Sequence, residues 1–235
     1  PGEWLQTDIG AHFISTDWSN KFALVPHIAE GAHTGPNAIF QFKFDENSGR
    51  LTANTPDRVT PEAADGPRHL CFHPNLDVVY SSNEQGCSVT AYNFDTNQGT
   101  IAPFQTVPTL PEDYNGQNSC SQIQITPSGK FLYAPNRGHN SIAGYVVDPS
   151  NGRLTTLGQT PTEPVPRAFS LDPQGNFLYV AGLESGKLAS YRVNATTGNL
   201  DPLEVYSLGK APMWVLITEL LAGSWLGRIT IHIAA

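Results

Sequence analysis

Short apolar runs alternate along most of the chain with turns rich in Gly, Pro, Asp and Asn, and one arrangement of them returns four times. An aromatic residue is followed three positions later by Asp or Asn, seven later by Gly and nine later by Leu or Ile. The copies are Phe42, Asp45, Gly49, Leu51; Tyr92, Asp95, Gly99, Ile101; Tyr145, Asp148, Gly152, Leu154; and Tyr191, Asn194, Gly198, Leu200. Successive glycines lie 50, 53 and 46 residues apart, a period typical of solenoids and propellers.

Each repeat also has an earlier half, in which an apolar run leads through a turn to a second apolar run. These turns start at Asp17, His73, Thr126 and Asp172. Pro and Gly in them indicate hairpin strands, and no helical period is present. Each repeat is therefore predicted to be a four-stranded propeller blade, which makes the chain all-β, with four blades and the first strand of a fifth. A β-solenoid is the competing interpretation, although its repeats are usually shorter.

Composition narrows the class of protein. The 235 residues include 21 Gly and 19 Pro, which suits one all-β domain with many turns. A net charge of −8 with only 13 Lys plus Arg argues against nucleic-acid or anionic-membrane partners, which require a basic surface. Three cysteines, Cys71, Cys87 and Cys120, lack metal-ligand spacing and cannot all pair within the chain. Reduced thiols in a cytoplasmic protein are expected.

The repeat pattern ends near Ile217. Residues 1–218 are predicted to form a partial β-propeller, and residues 219–235 an atypical C-terminal tail. This tail is too short and too interrupted by charge to span a bilayer, which takes about 20 apolar residues. Pro1 is not an initiator and the chain enters almost directly on a repeat, so sequence is expected to be missing upstream.

Aligning the repeats on their turns exposes two sets of positions at which the residue type varies. The first set lies five residues before each turn, at the start of the first strand. The second set lies at the end of the second strand. The first set is His12, Arg68, Ser121 and Arg167, with Met213 on the fifth strand; the second set is Ile28, Glu84, Arg137 and Leu183.

Strands one and two are antiparallel neighbours, so both sets are expected at one edge of each sheet, which in a propeller faces the central channel. The residues predicted to converge there are His12, Arg68, Glu84, Arg137 and Arg167. Solvated strand-end charges are the alternative. Arginine binds carboxylate or phosphate and stabilises a developing oxyanion, while Glu84 or His12 is a candidate general base. Neither role needs a metal or another cofactor. His69 is expected to point away from the channel, and His73 to be a turn residue.

Four segments carry a resemblance to a known family. They are Gly66-Pro67-Arg68-His69-Leu70-Cys71-Phe72-His73-Pro74-Asn75, Asn83-Glu84, Pro161-Thr162-Glu163-Pro164-Val165-Pro166-Arg167 and Ala211-Pro212-Met213-Trp214-Val215. From about His12 to Ile217 the chain resembles the seven-bladed β-propeller lactonases, which include the bacterial-type 6-phosphogluconolactonases and the fungal 3-carboxy-cis,cis-muconate cyclases. The resemblance implies an N-terminally truncated member that lacks roughly two to three of seven blades.

The resemblance also implies an activity. It implies hydrolysis of a small anionic sugar lactone, most naturally 6-phospho-D-glucono-1,5-lactone to 6-phosphogluconate in the pentose phosphate route. His12, Arg68, Glu84 and Arg167 match the family's proposed catalytic set; Arg68 and Arg167 would also bind substrate, together with Arg137 and Ser121. A muconate cycloisomerase using the same four residues is one alternative. A non-catalytic propeller that binds a protein partner is another, because fold does not determine function.

Overall fold

The computed structural model describes residues 5–29, 35–220 and 228–234, and within these ranges every regular element is a β-strand. The chain divides into two compact units, which are described separately. The N-terminal unit is Pro1–Pro108 with Asn151–Arg153, and the C-terminal unit is Thr109–Ser150 with Leu154–Ala235. The predicted all-β class is confirmed. Both units are built from four-stranded antiparallel sheets, as predicted for propeller blades.

The N-terminal unit contains blades one and two, in which consecutive strands pair in chain order. Blade one consists of β1 (Ser15–Thr16), β2 (Phe22–His27), β3 (Ala38–Asp45) and β4 (Arg50–Val59). Blade two consists of β5 (Pro67–Phe72), β6 (Val78–Asn83), β7 (Ser88–Asp95) and β8 (Thr100–Pro108).

The C-terminal unit contains blades three and four and a final hairpin. Blade three consists of β9 (Gln124–Ile125), β10 (Phe131–Asn136), β11 (Ser141–Val147) and β12 (Leu154–Pro161). Blade four consists of β13 (Pro166–Leu171), β14 (Phe177–Gly182), β15 (Lys187–Val193) and β16 (Leu200–Ser207). The hairpin consists of β17 (Trp214–Leu220) and β18 (Arg228–Ala234).

The final hairpin includes the segment predicted as the first strand of a fifth blade and part of the predicted tail. Val215 and Ile217 of β17 pack in one apolar cluster with Ala168 of β13 and Ala181 of β14. A strand at this place corresponds to the first strand of a following blade. β18 lies within the predicted tail and pairs with β17 in continuous antiparallel register. The division of the chain at residues 218 and 219 stays a prediction, and residues 221–227 and 235 lie outside the described residues.

Local polar groups form the turns between the first and second strands. The carboxylate of Asp17 accepts hydrogen bonds from the N–H groups of Lys21 and Phe22, both at 2.9 Å. The backbone N–H of Asp17 donates to the Phe22 carbonyl. Asp172 bonds to Phe177 in the same two ways. Side chains that bond to nearby backbone favour turns over continued strand. The predicted hairpin turns are therefore present at this edge of the blades.

The repeated glycine has a packing role as well as a conformational one. Gly99 has φ +69°, and a Cβ there would lie 1.9 Å from the ring of Phe22 in blade one. Gly198 has φ +76°, and a Cβ there would lie 2.3 Å from the ring of Phe131 in blade three. Within each unit, the glycine turn of the second blade thus receives an aromatic ring from the first blade. Any side chain at Gly99 or Gly198 would therefore displace the ring.

Candidate functional site

The two variable positions are neighbours in every blade. The N–H of the residue that follows the second strand donates to the carbonyl of the residue two places before the first-strand position. These bonds are Ile28 to Gly10 (3.0 Å), Glu84 to Gly66 (2.7 Å), Arg137 to Ser119 (3.0 Å) and Leu183 to Val165 (2.9 Å). The prediction that both positions share one edge of each sheet is confirmed. Convergence of all the blades on one channel mouth stays a prediction.

Blade two joins an arginine and a carboxylate at this edge. Arg68 Nε lies 2.6 Å from Glu84 Oε2, and the two side chains are only 5% and 15% exposed. Desolvation of both charges is costly, and it is offset only by close contact of the opposite charge. The pair therefore holds the Glu84 carboxylate in a defined orientation at the edge of the blade.

Blade four presents Arg167 at the place equivalent to Arg68. The second variable position is Leu183 here, where blade two has Glu84. Arg167 is half-buried and forms no salt bridge with any of the described residues. Its guanidinium has five N–H donors in a planar fork suited to carboxylate or phosphate. The arrangement is suited to binding an anion.

Both arginines are carried on a β-bulge in the first strand. In blade two Pro67 pairs with Asn83 and His69 with Ser82, which leaves Arg68 as the extra residue. In blade four the register shifts in the same way between Pro166 and Ala168, around Arg167. A bulge turns its extra side chain away from the regular alternation of the strand. The sequence motif Pro-Arg at both places is consistent with this, because proline cannot donate a hydrogen bond to the ladder.

His12 lies at the corresponding edge of blade one, next to the isolated bridge between Ala11 and His27. Its Nδ1 is 2.9 Å from the carbonyl oxygen of Gly10. A carbonyl only accepts hydrogen bonds, so Nδ1 carries the proton and Nε2 of the neutral ring carries the lone pair. This tautomer is the one required if Nε2 is to accept a proton.

The two predicted binding residues of blade three make contacts within the protein. Ser121 is fully buried, and its hydroxyl donates to the Pro166 carbonyl at 2.8 Å. The guanidinium of Arg137 donates to the carbonyls of Cys120 (2.8 Å) and Ser119 (3.4 Å). The Ser121 hydroxyl supports the backbone just before Arg167. Their roles in substrate binding stay predictions. Met213 is 42% exposed and adds no hydrogen-bonding group.

The histidines assigned to scaffold roles have structural contacts. His69 stacks on Phe13, with ring centroids 4.7 Å apart. His73 Nδ1 accepts the N–H groups of Asn75 and Leu76, both at 3.0 Å. The prediction that His73 is a turn residue is confirmed. His73 thus completes a turn of blade two, whereas His69 packs against the segment that leads into blade one.

Residues around Gly66 complete the surroundings of the ion pair, and the repeat analysis missed them. The Asn37 side chain accepts the Gly66 N–H at 2.8 Å, and the Gln85 side chain accepts the Ala29 N–H at 3.3 Å. Burial raises the pKa of the adjacent Asp65 carboxyl. The sequence did contain a signal for the contact between Asn37 and Gly66: an asparagine stands immediately before the third strand of blade one, at Asn37, and again before the third strand of blade three, at Asn140.

Three general findings complete the description. Within residues 5–29, 35–220 and 228–234, no three His, Cys, Asp or Glu side chains lie close enough together to hold a metal ion. No disulfide links Cys71, Cys87 and Cys120, all of which are described. The described part of the chain contains no helix that could cross a membrane.

A family model for lactonases with a 7-bladed β-propeller matches residues 3–217. The chain therefore belongs to the seven-bladed β-propeller lactonase family. It is similar to a protein of Pectobacterium carotovorum named 6-phosphogluconolactonase, with 36% identity over 90% of this chain and 61% of the relative. With the protein of that name from Serratia proteamaculans it shares 34% identity over 88% of this chain and 60% of the relative. The chain thus spans about three fifths of the length of these curated relatives.

Solved structures share the fold. The periplasmic gluconolactonase of Pseudomonas aeruginosa gives a TM-score of 0.77 at 24% identity, over 86% of this chain and 55% of that one. A protein from Bacteroides fragilis gives a TM-score of 0.76 at 26% identity, over 87% of this chain and 56% of that one. The likeness to the first of these concerns the fold alone.

Proposed function

We propose that the protein hydrolyses a small anionic sugar lactone, 6-phospho-D-glucono-1,5-lactone, to 6-phosphogluconate in the cytoplasm. The observation that carries this proposal is the buried Arg68–Glu84 pair, which stands where the repeats differ from one another. The names of relatives that cover about nine tenths of this chain support the choice of substrate. Among alternative functions, no contact in the described residues favours the muconate cycloisomerase or the protein-binding propeller.

The proposed reaction uses water as the nucleophile. A water oxygen attacks the lactone carbonyl carbon, and Glu84 or His12 accepts a proton from it. Arg68 stabilises the oxyanion that forms on the carbonyl oxygen. The bond from that carbon to the ring oxygen then breaks, and the proton returns to the departing oxygen. The products are a carboxylic acid, which ionises, and a hydroxyl group, so no cofactor enters the balance.

Glu84 and His12 are the two candidates for the general base, and different contacts orient them. Glu84 is oriented by Arg68, whose Nε lies 2.6 Å from the Glu84 Oε2 atom. His12 has Nε2 as its acceptor nitrogen because Nδ1 donates to Gly10. Arg167, which lacks an acidic partner among the described residues, is proposed to hold the phosphate of the substrate.

The test is lactone hydrolysis by the full chain, with freshly generated 6-phosphogluconolactone and the spontaneous rate subtracted. Glu84→Gln is expected to lower kcat by roughly 100- to 10,000-fold, the usual contribution of a general base. Glu46→Gln is the matched control, since Glu46 is exposed in the turn between β3 and β4. His12→Gln, measured beside them, identifies the base by the larger loss. A folded wild-type sample with no activity above background would contradict the proposal.

A further inference from the structure

Two asparagines, each immediately before a third strand, bond to the chain that leads into an arginine. Asn37 precedes β3 and Asn140 precedes β11, and their φ angles are +53° and +55°. Asn37 Oδ1 accepts the Gly66 N–H at 2.8 Å, and Asn140 Oδ1 accepts the Val165 N–H at 2.9 Å. In both cases the amide belongs to the residue two places before an arginine. The same device therefore occurs once in each unit.

The two residues that donate these bonds through their N–H groups have left-handed backbone conformations, which are unfavourable for valine and ordinary for glycine. Val165 has φ +53°, a region rarely adopted by a β-branched residue, and the proline after it further disfavours helical values. Gly66 has φ +65° and is also followed by proline. Their carbonyls accept the N–H groups of Leu183 and Glu84. Because the left-handed conformation is unfavourable for valine, hydrogen bonds to the N–H and the carbonyl of Val165 help to maintain it, and the equivalent bonds hold Gly66 in place.

The backbone beyond these residues has little freedom. The proline ring restricts φ at Pro67 and at Pro166. In blade four the Ser121 hydroxyl also donates to the Pro166 carbonyl at 2.8 Å. The direction in which Arg68 and Arg167 leave the strand is thus set by groups upstream of each bulge. The asparagine side chain comes from the preceding blade in both cases, and in blade four the Ser121 hydroxyl does so as well.

The other blades show where the asparagine is absent. The residues immediately before the third strand in blades two and four are Cys87, with φ +46°, and Gly186, with φ +65°. The first strands that come next in the chain are preceded by Ser121 and Met213 at the variable position. Asparagine thus occurs before each arginine strand and before neither of the other two. The left-handed turn is general, whereas its side-chain acceptor accompanies arginine.

We propose that Asn37 and Asn140 are positioning residues that set the direction of Arg68 and Arg167. For catalysis this rests on the proposed lactonase function. Asn140 is the cleaner test, because Asn37 Nδ2 also donates to the Ala63 carbonyl at 2.7 Å. Asn140→Gly keeps the left-handed turn and removes the acceptor, and Asn140→Asp keeps both. Asn20→Gly is the matched control, since Asn20 has φ +53° in the turn at the other edge of blade one.

The kinetic experiment measures KM and kcat for 6-phosphogluconolactone with the full chain. Asn140→Gly is expected to raise KM about tenfold with little change in kcat, as for loss of one hydrogen bond to an ordered group. Asn140→Asp and Asn20→Gly are expected to keep KM within about twofold. In an Arg167→Met background, Asn140→Gly should raise KM no further, because the group it positions has gone. An equal rise in both backgrounds would overturn the proposal in favour of a general structural role.

A second measurement does not depend on activity. In ¹⁵N NMR spectra, Asn140→Gly is expected to speed hydrogen exchange at the Val165 amide about tenfold and to shift the Arg167 Nε–H resonance. Asn20→Gly should change neither signal. If the Arg167 signal responds but the wild-type chain hydrolyses no lactone, the proposed function fails and the positioning role stands. If the Arg167 signal is unchanged in Asn140→Gly, the positioning role fails whatever the activity.

Discussion

Blades two and four present an arginine from the same backbone arrangement, yet they give it different electrostatic surroundings. In both blades a residue with positive φ is followed by a proline and then by the bulge that carries the arginine. In both, the N–H of the residue after the second strand donates to the carbonyl of the residue with positive φ. Arg68 then meets the carboxylate of Glu84, whereas blade four has Leu183 at the position equivalent to Glu84. Arg68 is 4% exposed, and Arg167 is half-buried.

The difference shows how a repeated scaffold supports unlike chemistry. Position and direction come from backbone groups that recur in each blade, while the character of the site comes from one neighbouring side chain. An arginine paired with a carboxylate orients a base and has its charge balanced. An arginine without such a partner keeps its charge for an anionic ligand. Substitutions at Arg68, Arg167 and Leu183 test this interpretation, and one at His27 extends the comparison to blade one.

The largest expected effect is on stability. Arg68→Ala should lower the free energy of unfolding by about 3 kcal/mol, because it removes the opposite charge that lies next to the largely buried Glu84 carboxylate. Arg167→Ala should change it by about 0.5 kcal/mol or less, since no described ion pair is broken. Urea denaturation of both variants beside the wild type measures the two values. Equal losses would show that the surroundings of the two arginines do not differ as described.

Substrate binding should depend on Arg167 through the charge of the ligand. Arg167→Met is expected to raise KM for 6-phosphogluconolactone roughly 10- to 100-fold, the cost of losing hydrogen bonds to a charged group. Hydrolysis of glucono-1,5-lactone, which has no phosphate, should change little. The measurement is kcat/KM for both lactones in both proteins. A similar loss for the two substrates would contradict an anion-binding role.

Blade four can be made to resemble blade two by one substitution. Leu183→Glu should place a carboxylate beside Arg167 and compete with the anionic substrate, which raises KM several-fold by an effect of about 1 kcal/mol. Leu183→Gln is the matched control, because it has the same shape without the charge. KM for 6-phosphogluconolactone at low salt is the measurement. No difference between the two variants would mean that residue 183 does not face Arg167 as Glu84 faces Arg68.

The smallest effect concerns the residue just before the second variable position, which is Asn83 in blade two and His27 in blade one. Burial lowers the pKa of His27 below its ordinary 6.5, an effect partly offset by hydrogen bonding to Val25 and the charge of Asp8, while the charge of Arg58 lowers it further. The unfolded chain therefore binds a proton first as the pH falls. The stability that neutral His27 contributes is present above pH 6.5 and is lost below it.

His27→Asn introduces the residue that blade two has at the corresponding position. The variant is expected to lose less stability than the wild type between pH 7 and pH 5.5, which urea denaturation at several pH values measures. Parallel pH profiles in the two proteins would show that His27 does not account for the loss.

Repeat analysis predicted the blades well because their turn chemistry is local. The Asp17 and Asp172 turns are completed within five residues, and glycine with positive φ recurs at Gly99 and Gly198. It also placed Glu84 next to Arg68, since antiparallel pairing follows from the hairpin. Comparing blades with each other was enough to separate recurring scaffold positions from variable ones.

The same comparison missed Asn37 and Asn140 because their bonds reach the next blade. Asn37 accepts an N–H 29 residues away, and Asn140 accepts one 25 residues away. No local pattern marks which backbone amide a side chain will meet across that separation. The Ser121 hydroxyl, predicted to bind substrate, likewise bonds to a carbonyl 45 residues away, that of Pro166.

The sequence by itself determined the all-β class, the blade period and the pairing of the two variable positions, because these depend on turns, alternation and hairpin geometry over a few residues. Tertiary structure alone decided the bulges that carry Arg68 and Arg167, the burial of the Arg68–Glu84 pair and the acceptor side chains that support them. The physical reason is the sequence separation of the groups that interact. Hydrogen bonds and ion pairs between segments tens of residues apart depend on how blades pack, and packing is a property of the folded chain as a whole.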